Sequence, residues 1–295
     1  MEQQRRMDCE SFSVIIPAYN EEDIIEDTIK KLQLAIADLP HEILVVDDGS
    51  TDKTAEQVKR FPVGLIQLSH NQGYGAALKN GIRMARHQMI CIIDADGTYP
   101  VEQIPCLVNS FSKGKYDMVV GARTSKNIHI ALMRRSAKWI IHKLANYLSG
   151  MKIIDLNSGL RVMKKEVVEK FIPILPDGFS FTSTITLAML MNGYSVEYVP
   201  IDYFVRKGKS KFKPIKDTLN FFQLIIRMVL YFNPLRVFVP VSILLVIFSF
   251  LILFGSWLFF RKAMDVTFGV TFMTGVMVLA IGALADLIIK RDSIK

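Results

Sequence analysis

The chain has 295 residues, 51% of them hydrophobic and 22% charged, with a formal net charge of +8. Averaged over the whole length this is a globular composition, but the average conceals a split. Every residue from Val237 to Phe260 and from Val266 to Ala285 is uncharged, and each run is long enough to cross a hydrocarbon core of roughly 30 Å as a helix. A purely soluble protein is excluded, and two spans are too few for a many-pass transporter. Without them a polar part of about 235 residues remains, enough to bury a substantial core.

Met1 to Glu10 is polar, carries Arg5 and Arg6, and shows no apolar stretch of a secretory signal, so the large polar part is expected in the cytoplasm. Cys9, Cys91 and Cys106 are scattered and odd in number, which fits reduced packing thiols and gives neither a zinc spacing nor a disulfide framework. Two spans place both chain ends on one side and leave only Arg261 to Asp265 as the external loop. The basic residues of that loop blunt the positive-inside signal of Lys290, Arg291 and Lys295.

From Phe12 to about Gly121, short apolar runs alternate with amphipathic stretches, the pattern of a mainly parallel sheet covered by helices. Strands are expected at Ser13 to Pro17, Glu42 to Val46, Val63 to Leu68, Met89 to Ile93 and Asp117 to Val120. Glu21 to Leu39 has helical spacing at Ile24, Ile25, Thr28, Ile29 and Leu32, with acids in its first turn. Ligands of open parallel sheets bind beyond the carboxyl ends of the strands, so the turns there are where chemistry is sought.

Three turns stand out: Pro17-Ala18-Tyr19-Asn20-Glu21, Asp47-Asp48-Gly-Ser-Thr-Asp52, and Asp94-Ala95-Asp96-Gly-Thr-Tyr-Pro100. Each alone is readable as a strand stop or helix cap. Together they put Glu21, Asp47, Asp48, Asp94 and Asp96 at one sheet edge, where mutual repulsion is costly unless a cation or a hydrogen-bonding ligand balances it. Asp-x-Asp after a strand suits a hard divalent cation held by one or two carboxylates and substrate phosphates. The five histidines show no paired ligand spacing for a rival metal site.

Asn71-Gln-Gly-Tyr-Gly-Ala-Ala77 opens a helix, and its glycines serve either close approach to a ligand or tight packing. It is neither a P-loop nor a dinucleotide fingerprint. Ile128 to Leu148 reads as a basic amphipathic helix carrying Arg134 and Arg135, and Pro214 to Phe232 has similar character; each fits the membrane interface or a packed core. Six cations and no acid lie between Arg206 and Lys216, a cluster suited to an anionic leaflet or to substrate phosphates. A nucleic-acid partner would leave the carboxylates and the spans unexplained.

With these residues in view, the chain resembles a family 2 inverting glycosyltransferase of GT-A fold, in the polyprenyl-phosphate branch that includes dolichol-phosphate mannose synthases and bacterial prenyl-phosphate glucosyltransferases. The three turns carry the resemblance, with Val120-Gly-Ala-Arg123, Asp155-Leu-Asn-Ser-Gly159 and Arg206-Lys-Gly-Lys-Ser-Lys211 ahead of two spans. It implies an α/β catalytic domain over 1–212, including an interface helix near 128–148. It further implies an interface helix at 213–233 and a membrane domain at 234–295, with spans near 237–260 and 266–288. The two spans also permit a homo-oligomer.

The resemblance assigns Pro17, Ala18, Tyr19, Glu21, Asp47 and Asp48 to the nucleotide-sugar pocket. Asp94, Ala95 and Asp96 belong there too, with Mg²⁺ or Mn²⁺ on Asp94 and Asp96 against the diphosphate and Arg206 and Lys211 clamping it. Arg123 and Arg135 are its acceptor-phosphate ligands. Asp96 and Asp155 are its catalytic carboxylates, Asp155 serving as a base or as an orienting group. Thr98 stands where mannose synthases carry a glutamine, and the Arg206 to Lys211 spacing is one residue shorter than in some of them. Both departures bear on which sugar is carried, not on the reaction class.

The reaction expected is transfer of a hexose from a GDP-mannose or UDP-glucose type donor to a dolichyl or undecaprenyl phosphate. Such a phosphate monoester carries about −1.5 to −2 charge at pH 7, so the orienting role for Asp155 is favoured over proton abstraction. A polysaccharide synthase would carry Gln-x-x-Arg-Trp, and neither Trp139 nor Trp257 follows an arginine. A noncatalytic membrane scaffold on a transferase fold is the alternative of another class.

Overall fold

A computed structural model describes residues 10–123, 146, 150, 153–204, 223–224, 226–260 and 265–292. The chain divides into two compact units, one formed by 1–139 with 151–218 and the other by 140–150 with 219–295.

The first unit is built on one seven-stranded sheet. Its strands are β1 (Phe12–Ala18), β2 (His41–Asp47), β3 (Gly64–Gln67), β4 (Met89–Ile92), β5 (Met118–Arg123), β6 (Arg161–Lys164) and β7 (Val196–Ile201). The spatial order is β3-β2-β1-β4-β6-β5-β7. β6 runs antiparallel to both β4 and β5, whereas the other neighbours pair parallel. The mainly parallel sheet read from the sequence is therefore mixed, reversed at one strand.

Central strands covered on both faces read as continuous apolar runs, and β1, Phe-Ser-Val-Ile-Ile-Pro-Ala, is buried along its whole length. Val14 and Ile16 join Val45, Cys91 and Ile93 in a core with Ile25, Ile29 and Leu32 of α1 (Ile25–Ala35) and Leu107, Val108 and Phe111 of α4 (Ile104–Gly114). On the opposite face, α3 (Tyr74–Met84) comes so near that a Cβ on Gly81 would press on Ile15 and Val46. The Cys91 thiol lies within the sheet, and burial pushes it up to about 12, so it acts as a packing group. Burying one such aliphatic side chain is worth about 1.5–3 kcal/mol, and truncating Ile16 to alanine would cost about 2–5 kcal/mol.

The five strands expected in the first half are present within a few residues of their expected limits. The first helix is shorter than its periodicity suggests. Residues 21–24 form a turn: the Glu21 amide donates to Thr54 Oγ1 (2.9 Å) and the Glu22 amide to Asp52 Oδ2 (3.1 Å), while the Ile24 amide turns back to the Glu21 carbonyl (3.1 Å). α2 (Thr54–Val58), α5 (Lys165–Phe171) and α6 (Phe181–Met191) complete the first unit's named helices.

The second unit contains α7 (Leu235–Phe260) and α8 (Asp265–Asp292), about 39 and 42 Å long at 1.5 Å per residue. They pack through Ser242 Oγ, which donates to the Gly275 carbonyl (2.8 Å), and through Phe250 against Phe268 and Phe272. Most of their apolar side chains face outward, among them Leu244, Leu251, Phe254 and Leu287. By length and composition both helices are candidate membrane spans.

Candidate active site

Parallel pairing sets the three acidic turns side by side. Ala18 is in register with Asp47, and the Asp48 amide donates to the Ala18 carbonyl (2.9 Å). Ile92 lies opposite Ile15, which brings Asp94 to the same edge two residues later. Reversal of β6 adds to this arrangement: its first residue, Arg161, pairs with Ile92 and Val120, so the preceding 155–160 segment opens at that edge too. β5 and β7 end together there at Arg123 and Ile201.

The first two turns are interlocked. Asn20, with φ of 56°, donates its amide to the Ser50 hydroxyl oxygen (3.0 Å) and accepts the Thr51 amide at Oδ1 (2.8 Å). Glu22 and the 52–53 segment exchange a reciprocal pair, Glu22 amide to Asp52 and Lys53 amide to Glu22 Oε2. Pro17 and Ala18 are buried while Tyr19 is exposed. Asp47 accepts the Ser50 amide (3.0 Å). Asp48 accepts the amides of Gln72 and Gly73, one on each oxygen (2.8 and 2.9 Å), and so braces the start of α3.

The glycines opening α3 serve close packing. A Cβ on Gly75 would run into the Pro176 carbonyl, and one on Gly73 would lie 2.5 Å from the Asp177 carbonyl oxygen. That Asp177 oxygen accepts the amides of Gly75 (2.7 Å) and Ala76 (3.1 Å) and so satisfies the helix start, while Lys79 pairs with the Asp177 carboxylate (2.8 Å).

Around the Asp-Ala-Asp turn, Asp94 Oδ1 accepts the Tyr74 hydroxyl (2.8 Å), and Asp96 Oδ1 accepts both the amide (3.1 Å) and the hydroxyl (2.6 Å) of Thr98. Burial first and the neighbouring Asp96 charge second raise the Asp94 carboxyl to about 6. The Tyr74 hydroxyl is itself raised well above its usual value by burial and by Asp94, so it remains a donor. Ala95 is buried, and its carbonyl accepts the Thr28 hydroxyl (3.0 Å).

These oxygen donors fit a hard divalent cation, because two crowded carboxylates lower their mutual repulsion on binding one and substrate phosphates complete the shell. Among the described residues no group of three or more metal-ligating side chains forms a cage. Thr98 donates to Asp96, and this orients the carboxylate.

Farther along the edge, Arg123 forks onto Asp155: Nε to Oδ2 and Nη2 to Oδ1, each 2.8 Å, with the Arg123 amide adding a third bond to Oδ2 (3.0 Å). Burial alone would raise the Asp155 carboxyl, but the Arg123 contacts outweigh it and hold the group below the ordinary carboxylate range. Burial likewise disfavours the Arg123 charge, and Asp155 more than restores it. The guanidinium lies over the Tyr203 ring (5.3 Å), which meets Tyr99 edge-on.

Arg135, Arg206 and Lys211 lie outside the described residues, as does nearly all of the expected 128–148 helix. Tyr74, Tyr99, Tyr203 and Arg161 were not among the expected site residues. Arg161 stands between the apolar residues Leu160 and Val162, which is the one local signal for it; the tyrosines join the site only through folding.

Residues 13–172 match Glycosyl transferase family 2. The chain is 28% identical over 206 residues to the dolichyl-phosphate hexose transferase of Haloferax volcanii, covering 70% of this chain and 88% of that protein. It is 32% identical over 213 residues to the dolichol-phosphate mannosyltransferase of Pyrococcus furiosus, covering 68% and 59% respectively. Over 295 residues it is 29% identical to the bactoprenol glucosyl transferase of Shigella phage SfV, covering 94% and 92%.

Among solved structures, the chain is similar to glucosyl-3-phosphoglycerate synthase from Mycobacterium tuberculosis, a complex with Mn²⁺, UDP and phosphoglyceric acid. The TM-score is 0.60 over 75% of this chain and 78% of that one, at 18% identity. At that identity the likeness bears on the fold, which is the GT-A type that the resemblance implied. In sequence match and in fold, the chain belongs to glycosyl transferase family 2.

Proposed function

We propose that the chain transfers a hexose, with inversion, from a nucleotide sugar to a polyprenyl phosphate at the cytoplasmic membrane face. One observation carries this reading: the Asp94–Asp96 pair and the Arg123–Asp155 pair open at the same sheet edge, one suited to a cation-held diphosphate and the other to a second phosphate. The named relatives act on dolichyl, dolichol or bactoprenol substrates, which supports a lipid phosphate as acceptor. The structural neighbour holds Mn²⁺ and UDP, which supports a nucleotide donor.

In this reading residues 1–212 form the catalytic domain, 213–233 an interface helix, and 234–295 a membrane domain. Pro17, Tyr19, Glu21 and Asp47 line the base and ribose pocket, and Ala18 and Asp48 belong to the same nucleotide-sugar site, with Asp48 also bracing the start of α3. Asp94 and Asp96 hold Mg²⁺ or Mn²⁺, and Arg206 and Lys211 clamp the diphosphate. A bound cation supplies Lewis-acid stabilisation of the departing nucleoside diphosphate.

Arg123, with Arg135, receives the acceptor phosphate, whose charge makes it a nucleophile without help from a base. A phosphate oxygen forms the new bond to the anomeric carbon as the bond to the nucleoside diphosphate breaks, and its electron pair leaves with that diphosphate. Asp155, ionised and bound to Arg123, aims the guanidinium instead of removing a proton. An α-linked donor then gives a β-linked lipid phosphate.

The test is to incubate membranes containing the protein with a panel of radiolabelled UDP and GDP sugars and a short prenyl phosphate. Label in the organic-extractable lipid is the expected result. Label transferred only to a free sugar or to protein would reject the reading.

A further inference from the structure

We propose that Arg161 is a positioning residue for the Asp94 carboxylate, acting through the Ser158–Gly159 peptide. This rests on the reading that Asp94 and Asp96 hold the divalent cation. Arg161 is fully buried, at the position of β6 that pairs with Ile92, two residues before Asp94. Its guanidinium donates to the Ser158 carbonyl from both Nε (3.1 Å) and Nη2, and from Nη1 to the Thr182 carbonyl (3.0 Å) and the Thr186 hydroxyl (2.8 Å).

The opposite end of the same peptide is also held: the Gly159 amide donates to the Tyr99 hydroxyl oxygen (2.7 Å). One peptide plane is therefore gripped at its carbonyl by Arg161 and at its N–H by Tyr99. Gly159 lies directly against Asp94, where a Cβ would collide with the carboxylate carbon and both of its oxygens. A shift of this peptide thus either crowds the carboxylate or releases it.

Stability does not account for an arginine here. Burying a charge is costly, and this guanidinium donates to neutral carbonyls and a hydroxyl, with no carboxylate among those partners. What a guanidinium adds is a fixed fork with several donors, able to bind two segments at once. It ties the 155–160 segment to α6 and keeps Gly159 set against Asp94. Groups that orient metal ligands in this way typically contribute about 10- to 100-fold to metal affinity.

The experiment uses the purified full chain, titrated with Mn²⁺ in the presence of UDP and, separately, of GDP. Free Mn²⁺ is followed by electron paramagnetic resonance, and thermal melting is measured alongside. Arg161→Lys and Arg161→Met are compared with Tyr99→Phe, which releases the other end of the same peptide and removes no buried charge. The expected result is Mn²⁺ affinity weakened about tenfold or more in Arg161→Met, less in Arg161→Lys, and measurably in Tyr99→Phe even where its melting temperature is unchanged.

Wild-type Mn²⁺ affinity in folded Arg161→Lys and Tyr99→Phe would overturn the inference while leaving the metal reading intact. If the Arg161 variants do not fold, Tyr99→Phe alone decides. Absence of Mn²⁺ binding by the wild type with either nucleotide would overturn the metal reading, and this inference with it.

Discussion

Arg123 and Asp155 meet as a guanidinium fork on a carboxylate, with Nε and Nη2 each 2.8 Å from a different oxygen. The two residues lie 32 positions apart in sequence; Arg123 ends β5, and Asp155 lies shortly before β6, the reversed strand paired with it. Two contacts and the Tyr203 face fix the direction of the arginine, which the proposed acceptor-phosphate role requires. Asp155→Asn should raise the acceptor KM by about tenfold, with the donor KM unchanged, if one or two kcal/mol of orientation is lost. A base lost from the same position would lower kcat and leave the acceptor KM unchanged, so steady-state kinetics with the acceptor varied separates the two roles.

The same pair sets a pH dependence. The folded-state carboxyl of Asp155 is held below its ordinary value, so its stabilisation is fully present above the unfolded pKa of about 3.9 and is lost as pH falls through the lower folded value. Wild type should therefore exceed Asp155→Asn by about 1.5–3 kcal/mol at pH 6–8. The gap should close as the solution is acidified below about pH 4. Denaturant melts across pH check this, and a gap unchanged into strong acid would contradict it.

Asp94→Asn and Asp96→Asn should each abolish transfer while leaving the protein folded. The Asp94 carboxylate is costly to ionise where it sits, beside Asp96 and largely removed from water. Its amide replacement should therefore melt no lower than wild type near neutral pH without metal. Near-full transfer by either variant with metal chelated would contradict the assigned metal role.

Thr98 donates its hydroxyl to Asp96 at 2.6 Å, and its amide donates to the same oxygen. Thr98→Val removes the first bond and retains the second. Transfer should fall and the half-saturating concentration of Mn²⁺ should rise, by about tenfold or more for a single lost bond to a charged group. A metal titration of activity measures both.

Gly75→Ala should destabilise the first unit by about 1–3 kcal/mol through overpacking, because the new methyl meets the Pro176 carbonyl. A binding role for this glycine would instead leave the melt unchanged and raise the donor KM. Thermal melting beside donor kinetics distinguishes them.

Much of this was legible in the sequence, for identifiable reasons. β1 and β4 are buried along their length and β2 over its last three residues; all three read as apolar runs, and their acidic turns follow directly, so the edge that gathers Asp47, Asp94 and Asp96 is visible without a structure. β6 is not, because four residues with Arg161 at one end and Lys164 at the other carry no strand period. α6 is buried nearly all round and lacks the polar stripe that marks an amphipathic helix. The start of α1 falls later than its periodicity suggests because Asp52 and Thr54, at the entry to α2, take the amides of Glu22 and Glu21. The Tyr74–Asp94 and Gly159–Tyr99 bonds link residues 20 and 60 positions apart, and nothing local announces them.

The central claim is a single displacement by an ionised lipid phosphate on a cation-held donor. Its most direct test is the anomeric configuration of the lipid product, read by proton and phosphorus NMR after reaction of the purified full chain with an α-linked nucleotide sugar and a short prenyl phosphate. A β-linked hexosyl phosphate is predicted. An α-linked lipid product, or free sugar with no lipid product, would contradict the account.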